Sequence, residues 1–266
     1  DESVGKLFIA GIIPGIVLAG LMMGYIFIIG VVRPELAPRS TEEVSWKMKF
    51  EALIQIWPVL LLIVLVLGSI YKGIATPTEA AAVGCVGALI LSYSKKKLDW
   101  QTFRKILRST INTSTMIMLI FASALLFGYV LTRLQVPQEL ASYVATLDMP
   151  NWVILICIFA LLYIMGMFMD VVSVILISTP ILLPIVLQMG YSSLWFGIVM
   201  AIACEIGTET PPVGLNLFVI KGVSPPSVSL MDIIRGAIPF ALVETVGLII
   251  FIVFPGLVLW LPNLIK

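Results

Sequence analysis

Long uncharged apolar runs set the pattern of this chain: Leu7 to Val32, Ala52 to Tyr71, Ser109 to Thr132, Val171 to Cys204 and Thr245 to Ile265. A helix needs about 20 apolar residues to cross hydrocarbon, whereas a barrel strand needs about 10 that alternate polar with apolar. The runs have helical length and no alternation, so the expected class is an all-α integral membrane protein. Crossings are predicted at residues 7 to 32, 52 to 70, 78 to 93 and 110 to 133, with a last helix from Gly236 to Pro262. Arg33, Arg39, Lys47 and Lys49 follow the first crossing, and Lys95, Lys96, Lys97, Arg104, Lys105 and Arg108 follow the third. Short cytoplasmic loops collect Lys and Arg, which places both loops inside and the C-terminus outside, in the periplasm.

The remaining segments read differently. Leu98 to Ser109 mixes Trp100, Phe103, Ile106 and Leu107 with Arg104, Lys105 and Arg108, an amphipathic pattern suited to a surface arm in the interface. Val136 to Asp148 reads as a polar outer loop, with Pro137 and Pro150 as breakers. Asp170, Pro180 and Pro184 interrupt the next apolar stretch, which predicts a re-entrant hairpin over 152–188 with legs Trp152 to Met165 and Val172 to Gln188. Its turn is Gly166-Met167-Phe168-Met169-Asp170. A crossing over 194–221 is broken between Gly207 and Gly214, and Lys221 with Arg235 places its far end inside. Gly11-Ile12-Ile13-Pro14 and Gly236-Ala237-Ile238-Pro239 open two long helices expected to run in opposite directions, as inverted repeats do.

Composition agrees with the pattern. Hydrophobic residues make up 60% of the 266 and charged residues 12%, with a mean hydropathy of +1.12. A net charge of +1 leaves no footprint for nucleic acid. Cys85, Cys157 and Cys204 lie in apolar stretches without metal or redox spacing and are expected in the core. Histidine is absent, which removes the usual general base and the histidine zinc sites; no P-loop pattern occurs either. The chain is therefore not expected to be an enzyme or to carry a cofactor. Its start, Asp1-Glu2-Ser3, has no signal-peptide character and reads as a fragment beginning mid-protein.

The richest chemistry lies in Ile206 to Phe218, IGTETPPVGLNLF. Proline cannot complete the helical ladder, so Pro211 and Pro212 are expected to free the carbonyls of Gly207 and Thr208. Free carbonyls at membrane depth persist only where protein, water or a ligand satisfies them, and a sodium ion would do so. Thr208, Thr210 and Asn216 bring side-chain oxygens, while Gly207 and Gly214 allow close approach. The half-helix restarting after Pro212 aims its positive end into the same region, suited to a substrate carboxylate. A simple proline kink is the plain alternative.

Asp170 stands alone between Asp148 and Glu205 as a formal charge, and serves either as an ion ligand or as the N-cap of the second leg. Ser178 and Thr179 read as backbone-bonding residues. Thr76-Pro77-Thr78-Glu79 has the form of a capping box, followed by a small-residue face at Ala80, Ala81, Ala82 and Gly84. Glu209 sits inside the break; Glu205 and Glu244 are expected to be satisfied by polar neighbours.

Three strings in this order, GIATPTEAAAVG from Gly73, GMFMD from Gly166 and TPPVGLNLF from Thr210, resemble the large membrane subunit of tripartite ATP-independent periplasmic (TRAP) transporters. The resemblance runs from GKLFIAGIIPG to FPGLVLWLP and corresponds to the C-terminal portion of that subunit. It implies an elevator fold of the ion-transporter superfamily, in which a mobile domain carries an organic anion past a scaffold, driven by sodium. On that reading residues 1–32 end a first repeat, 33–135 hold scaffold helices and the arm, 136–235 form the transport segment and 236–266 the last transmembrane helix. Gly166, Asp170, Gly207, Thr208, Thr210 and Pro212 become the sodium-site candidates, and Thr210, Gly214 and Asn216 the substrate-site candidates. Glu209 stands where an uncharged residue is expected. The resemblance also implies a small membrane subunit, a soluble periplasmic binding protein, a missing N-terminal part of the large subunit, and a bacterial or archaeal inner membrane.

Other classes compete. A dicarboxylate transporter or antiporter of the same superfamily would need no binding protein. An intramembrane aspartyl protease would use Asp170 and Glu209 as its acid pair, but its two aspartates and the associated glycine pattern are missing. A membrane scaffold would leave Thr210 and Asp170 without a role.

Overall fold

In hydrocarbon, every backbone N–H and C=O must find a partner within its own segment or its protein neighbours. The computed structural model describes residues 2–36, 45–146 and 149–264, and all of their regular structure is helical. Arg39 of the first basic loop, Asp148 of the expected outer loop and residues 265–266 lie outside the described residues. The helices are α1 (Val4–Val32), α2 (Trp46–Tyr71), α3 (Pro77–Ser94), α4 (Trp100–Arg133), α5 (Val136–Thr146), α6 (Asn151–Phe168), α7 (Val171–Gln188), α8 (Ser193–Thr208), α9 (Leu215–Val223), α10 (Leu230–Val253) and α11 (Gly256–Leu264). Five of them, α1, α4, α6, α7 and α10, are long and apolar enough to span a bilayer; α2 makes a sixth if its bent halves are one span. The bend is 45° between Trp46–Ile54 and Ile56–Tyr71, where Pro58 has no N–H for the Ile54 carbonyl.

Four expectations need correction. Leu98 to Ser109 is no separate arm: α4 runs unbroken for 34 residues, because nothing between the basic turns and the apolar run interrupts the ladder. The expected outer loop is mostly the helix α5. Pro137 sits in its first turn, where a missing N–H costs nothing, and Pro137, Ala141 and Val144 make an inward stripe at helical spacing. The hairpin turn is shorter than Gly166 to Asp170, since α6 stays helical through Phe168 and only Met169 and Asp170 separate the legs. The last crossing begins at Leu230, where Ser229 and Asp232 form a capping box, and ends at Val253 before a separate α11.

The chain divides into two units. One gathers Ser3–Gly5 and Ile29–Thr115. In it α3 lays Gly84 and Gly87 against Val66 and Leu62 of α2, with Ala80 fully buried on the same stripe. Ala81 and Ala82 point outward, so the packing face is Ala80, Gly84 and Gly87 rather than the alanine run. The capping box is formed as read: Thr76 Oγ1 accepts from the Glu79 N–H at 3.3 Å, and the Thr76 N–H donates to Glu79 Oε2 at 2.8 Å.

The other unit gathers Lys6–Ile28 and the chain from Met116 onward, and holds the main core. Helix α8 is its axis, burying Trp195, Phe196, Val199, Met200, Ala203, Cys204 and Ile206 against Leu155, Phe159 and Leu162 of α6, Val174 and Val186 of α7, and Phe251 of α10. Cys204 is thus a core residue, while Cys85 and Cys157 sit on exposed faces, contrary to expectation. Helices α1 and α10 lie antiparallel: Tyr25 meets Phe240 edge-on at 5.2 Å, and Leu18 and Leu21 lie over Gly247.

One bond shows how broken ladders are repaired here. The helical partner of the Phe251 carbonyl would be residue 255, which is Pro255 and has no N–H. The buried Trp195 indole donates to that carbonyl instead, at 2.9 Å. Trp195→Phe should keep the ring packing yet orphan the carbonyl. The expected loss is about 1–3 kcal/mol, read as a lower unfolding midpoint in detergent, with Trp260→Phe, at an exposed position, as the neutral comparison.

Candidate functional site

The site is where the end of α6 meets the interruption between α8 and α9. Helix α8 stops at Thr208, six residues follow without helix, and α9 starts at Leu215. Pro211 and Pro212 enforce the stop; the peptide bond joining them is cis. Gly214 closes the interruption at φ +60°, a left-handed conformation that suits glycine, and its N–H donates to the Met167 carbonyl at 3.1 Å. The break is therefore tied by backbone to the last turn of α6.

Two glycines make that approach possible. A Cβ built on Gly166 would lie 2.7 Å from the Cys204 carbonyl oxygen, and one on Gly207 would lie 2.6 Å from the Tyr163 carbonyl oxygen. Helices α6 and α8 thus cross backbone to backbone at these residues, so Gly166 and Gly207 have a packing role that needs no ion.

The loose ends of α8 are largely taken up from within. The Gly207 carbonyl, expected to be free, accepts the Thr210 N–H at 3.0 Å, which corrects that part of the expectation. The chain tightens by one residue before the prolines and reaches the carbonyl from i+3 instead of i+4. The Ile206 carbonyl accepts both the Glu209 N–H at 3.3 Å and the Thr210 hydroxyl at 2.7 Å. Thr210 Oγ1 also lies 2.9 Å from the Tyr163 hydroxyl; with its own hydrogen on Ile206, it accepts from Tyr163.

A second polar group forms alongside. The Thr208 hydroxyl, almost fully buried, donates to the Glu205 carbonyl at 2.8 Å. The Asn216 amide donates to Thr208 Oγ1 and to Glu205 Oε1, each at 3.1 Å. Asn216 of α9 thereby bridges the interruption back to α8. Glu205 is satisfied by a polar neighbour, as its sequence position suggested. Glu244, nine-tenths buried on α10, lies within electrostatic range of Glu205 and Glu209.

Asp170 stands apart from these bonds. Its carboxylate accepts the Ser173 N–H at 3.0 Å and the Ser173 hydroxyl, capping α7. Ser178 and Thr179 bond back to the Val174 and Ile175 carbonyls at 2.5 Å each, as read from sequence. Of the candidates, Gly166, Gly207, Thr208, Thr210, Gly214 and Asn216 come together; Pro212 lies exposed within the break, and Asp170 caps the neighbouring helix. Tyr163 was missed. Its only local signal is its place three residues before Gly166, on the same helical face, which means nothing until α8 is packed there.

The family described as "Tripartite ATP-independent periplasmic transporter, DctM component" matches residues 1–257. The chain is 39% identical over 264 residues to the C4-dicarboxylate TRAP transporter large permease protein DctM of Pseudomonas aeruginosa, covering 99% of this chain and 61% of that protein. It is 32% identical to the sialic acid TRAP transporter large permease protein SiaM of Vibrio cholerae, covering 99% and 61%. Identity is also 32% to the 2,3-diketo-L-gulonate TRAP transporter large permease protein YiaN of Escherichia coli, covering 97% and 60%. The chain spans about six-tenths of the length of these curated relatives.

Two variants separate packing from charge. Gly207→Ala forces backbone apart between α6 and α8 and should cost about 1–3 kcal/mol in an unfolding assay, whereas Gly20→Ala, with open space around it, should change little. Asp170→Asn keeps an N-cap acceptor and should leave stability nearly unchanged, while Asp170→Ala should cost about 0.5–2 kcal/mol in the same assay.

Proposed function

The chain belongs to the DctM component family of tripartite ATP-independent periplasmic transporters, and on that premise we propose that it forms part of a sodium-coupled importer of a carboxylate-bearing solute. Transport, rather than bond-making, is the function: the family is one of transporter permeases, and the protein is a multi-pass membrane protein. The solute class follows the relatives' names, which cover C4-dicarboxylate, sialic acid and diketogulonate. In this reading a soluble periplasmic binding protein delivers the anion, a small membrane subunit accompanies the permease, and the assembly sits in the bacterial inner membrane.

The observation that carries the reading is the polar interruption between α8 and α9, tied by backbone to the end of α6 at the edge of the apolar core. Thr208 and Thr210 each spend their hydroxyl hydrogen on a backbone carbonyl, so their oxygens remain as acceptors only. Those oxygens now take hydrogen bonds from Asn216 and Tyr163. A sodium ion can replace either donor; turning the Asn216 amide would then present its oxygen to the same ion. The Glu205 carboxylate beside Asn216 favours the cation, and the N-terminus of α9 favours the anion that accompanies it. Gly166 and Gly207 hold the two helices at the required separation, while Gly214 and Asn216 stand nearest the start of α9.

The finer mechanism belongs to the same proposal. The hairpin of α6 and α7 is re-entrant, and residues 136–235 move as the transport segment past helices of 33–135, in the elevator manner. With 18 residues each, the legs are roughly 27 Å long, and a two-residue turn returns the chain to the side it came from at whatever depth the turn lies.

The test is uptake of C4-dicarboxylate, sialic acid and diketogulonate by the intact permease reconstituted with its small subunit and binding protein. Accumulation should require an inward sodium gradient and should persist without ATP. Thr210→Val should raise the sodium concentration for half-maximal uptake about tenfold at little cost in solute selectivity. Uptake indifferent to sodium would overturn the coupling, and uptake without the binding protein would move the chain to a binding-protein-independent mechanism.

A further inference from the structure

Helix α4 is longer than a membrane is thick. At about 1.5 Å per residue, its uncharged part from Ser109 to Thr132 already spans roughly 36 Å, against roughly 30 Å of hydrocarbon. The turns before it, which the transport site does not use, therefore emerge at the level of the lipid headgroups. They carry Arg108, then Lys105 and Arg104, then Trp100 about 12 Å beyond Arg108 along the axis.

These residues make a built surface. Gln101, Arg104, Lys105 and Arg108 recur three, four and seven residues apart and share one face. With Leu107 and Ile111 they line an open depression of about 720 Å³, in which cations and apolar side chains alternate along the helix. All three cations are exposed, and among the described residues none makes a hydrogen bond or an ion pair. The Asp99 carboxylate is committed to the Thr102 N–H at 2.7 Å and reaches Lys105 only at longer range. Trp100, 73% exposed, stacks on Phe103 at 5.9 Å between ring centroids, an aromatic pair of the kind that settles in the interface.

We propose that this face of α4 is a binding site for the phosphate headgroup of an anionic phospholipid, with Arg104, Lys105 and Arg108 on the phosphate and Leu107 and Ile111 against the upper acyl chain. Guanidinium groups suit phosphate oxygens because their N–H pairs match them two at a time, and Lys105 adds a point charge. Leu107 and Ile111 select a lipid over a soluble phosphate, since both are exposed apolar side chains beside the cations and Ile111 lies within the uncharged part of the helix. The site would fix the depth at which α4 stands without touching the break. It does not depend on the sodium reading.

The experiment is native mass spectrometry of the intact permease, released from mixed micelles of phosphatidylglycerol and phosphatidylcholine at a fixed ratio. The wild type should retain phosphatidylglycerol in preference, and raising salt should strip that lipid while leaving phosphatidylcholine adducts unchanged. Neutralising each cation should weaken retention about fivefold, so R104Q/K105Q/R108Q should fall to the phosphatidylcholine level. The triple R33Q/K47Q/K49Q removes the same charge from the other basic loop and should keep the preference, whereas R104K/R108K, which keeps the charge but loses the paired N–H groups, should retain phosphatidylglycerol less than the wild type and more than the glutamine triple. Equal retention of both lipids by the wild type, or equal loss from the two triples, overturns the proposal. The salt series on the wild type decides the matter even if a triple variant does not fold.

Discussion

Hydrocarbon supplies no hydrogen bonds, and the architecture follows from that constraint. Sixteen prolines in a chain of spanning helices create many carbonyls without a helical partner, and each needs one from elsewhere. At Phe251 the partner is the Trp195 indole. At Gly207 it is the Thr210 N–H, drawn one residue tighter. The core is thus held by a few such repairs set in a close-packed apolar cluster around α8.

The break between α8 and α9 is the largest of these repairs and the most exchangeable. Its bonds come from a tyrosine hydroxyl, an asparagine amide and two threonines, groups that can turn and whose oxygens remain available. Its frame does not turn: Gly166 and Gly207 lock α6 onto α8, and the Gly214 N–H is fixed to Met167. On the proposed reading, a rigid frame around reorientable oxygens suits reversible capture of an ion, because the same groups satisfy one another in its absence.

The two ends of α4 show the same economy of length. A helix of 34 residues cannot be housed in hydrocarbon alone, and the surplus carries the cations that water and lipid phosphate both accept.

The sequence by itself determined the helical membrane class, the positions of most helices, the capping box at Thr76 and the interruption at Pro211-Pro212. These are decided by run length, periodicity and the missing proline N–H, all properties of neighbouring residues. It misjudged the ends of segments. The arm continues α4 and the outer loop is α5, because a mixed pattern of charge and apolar side chains allows a helix to continue or to stop. Only the tertiary structure decided that Gly166 and Gly207 face each other, that Tyr163 reaches Thr210 from 47 residues away, and that Asn216 bridges back to Thr208 and Glu205. Those pairings depend on how α6, α8 and α9 pack, and contact between distant helix faces leaves no mark on local composition or spacing.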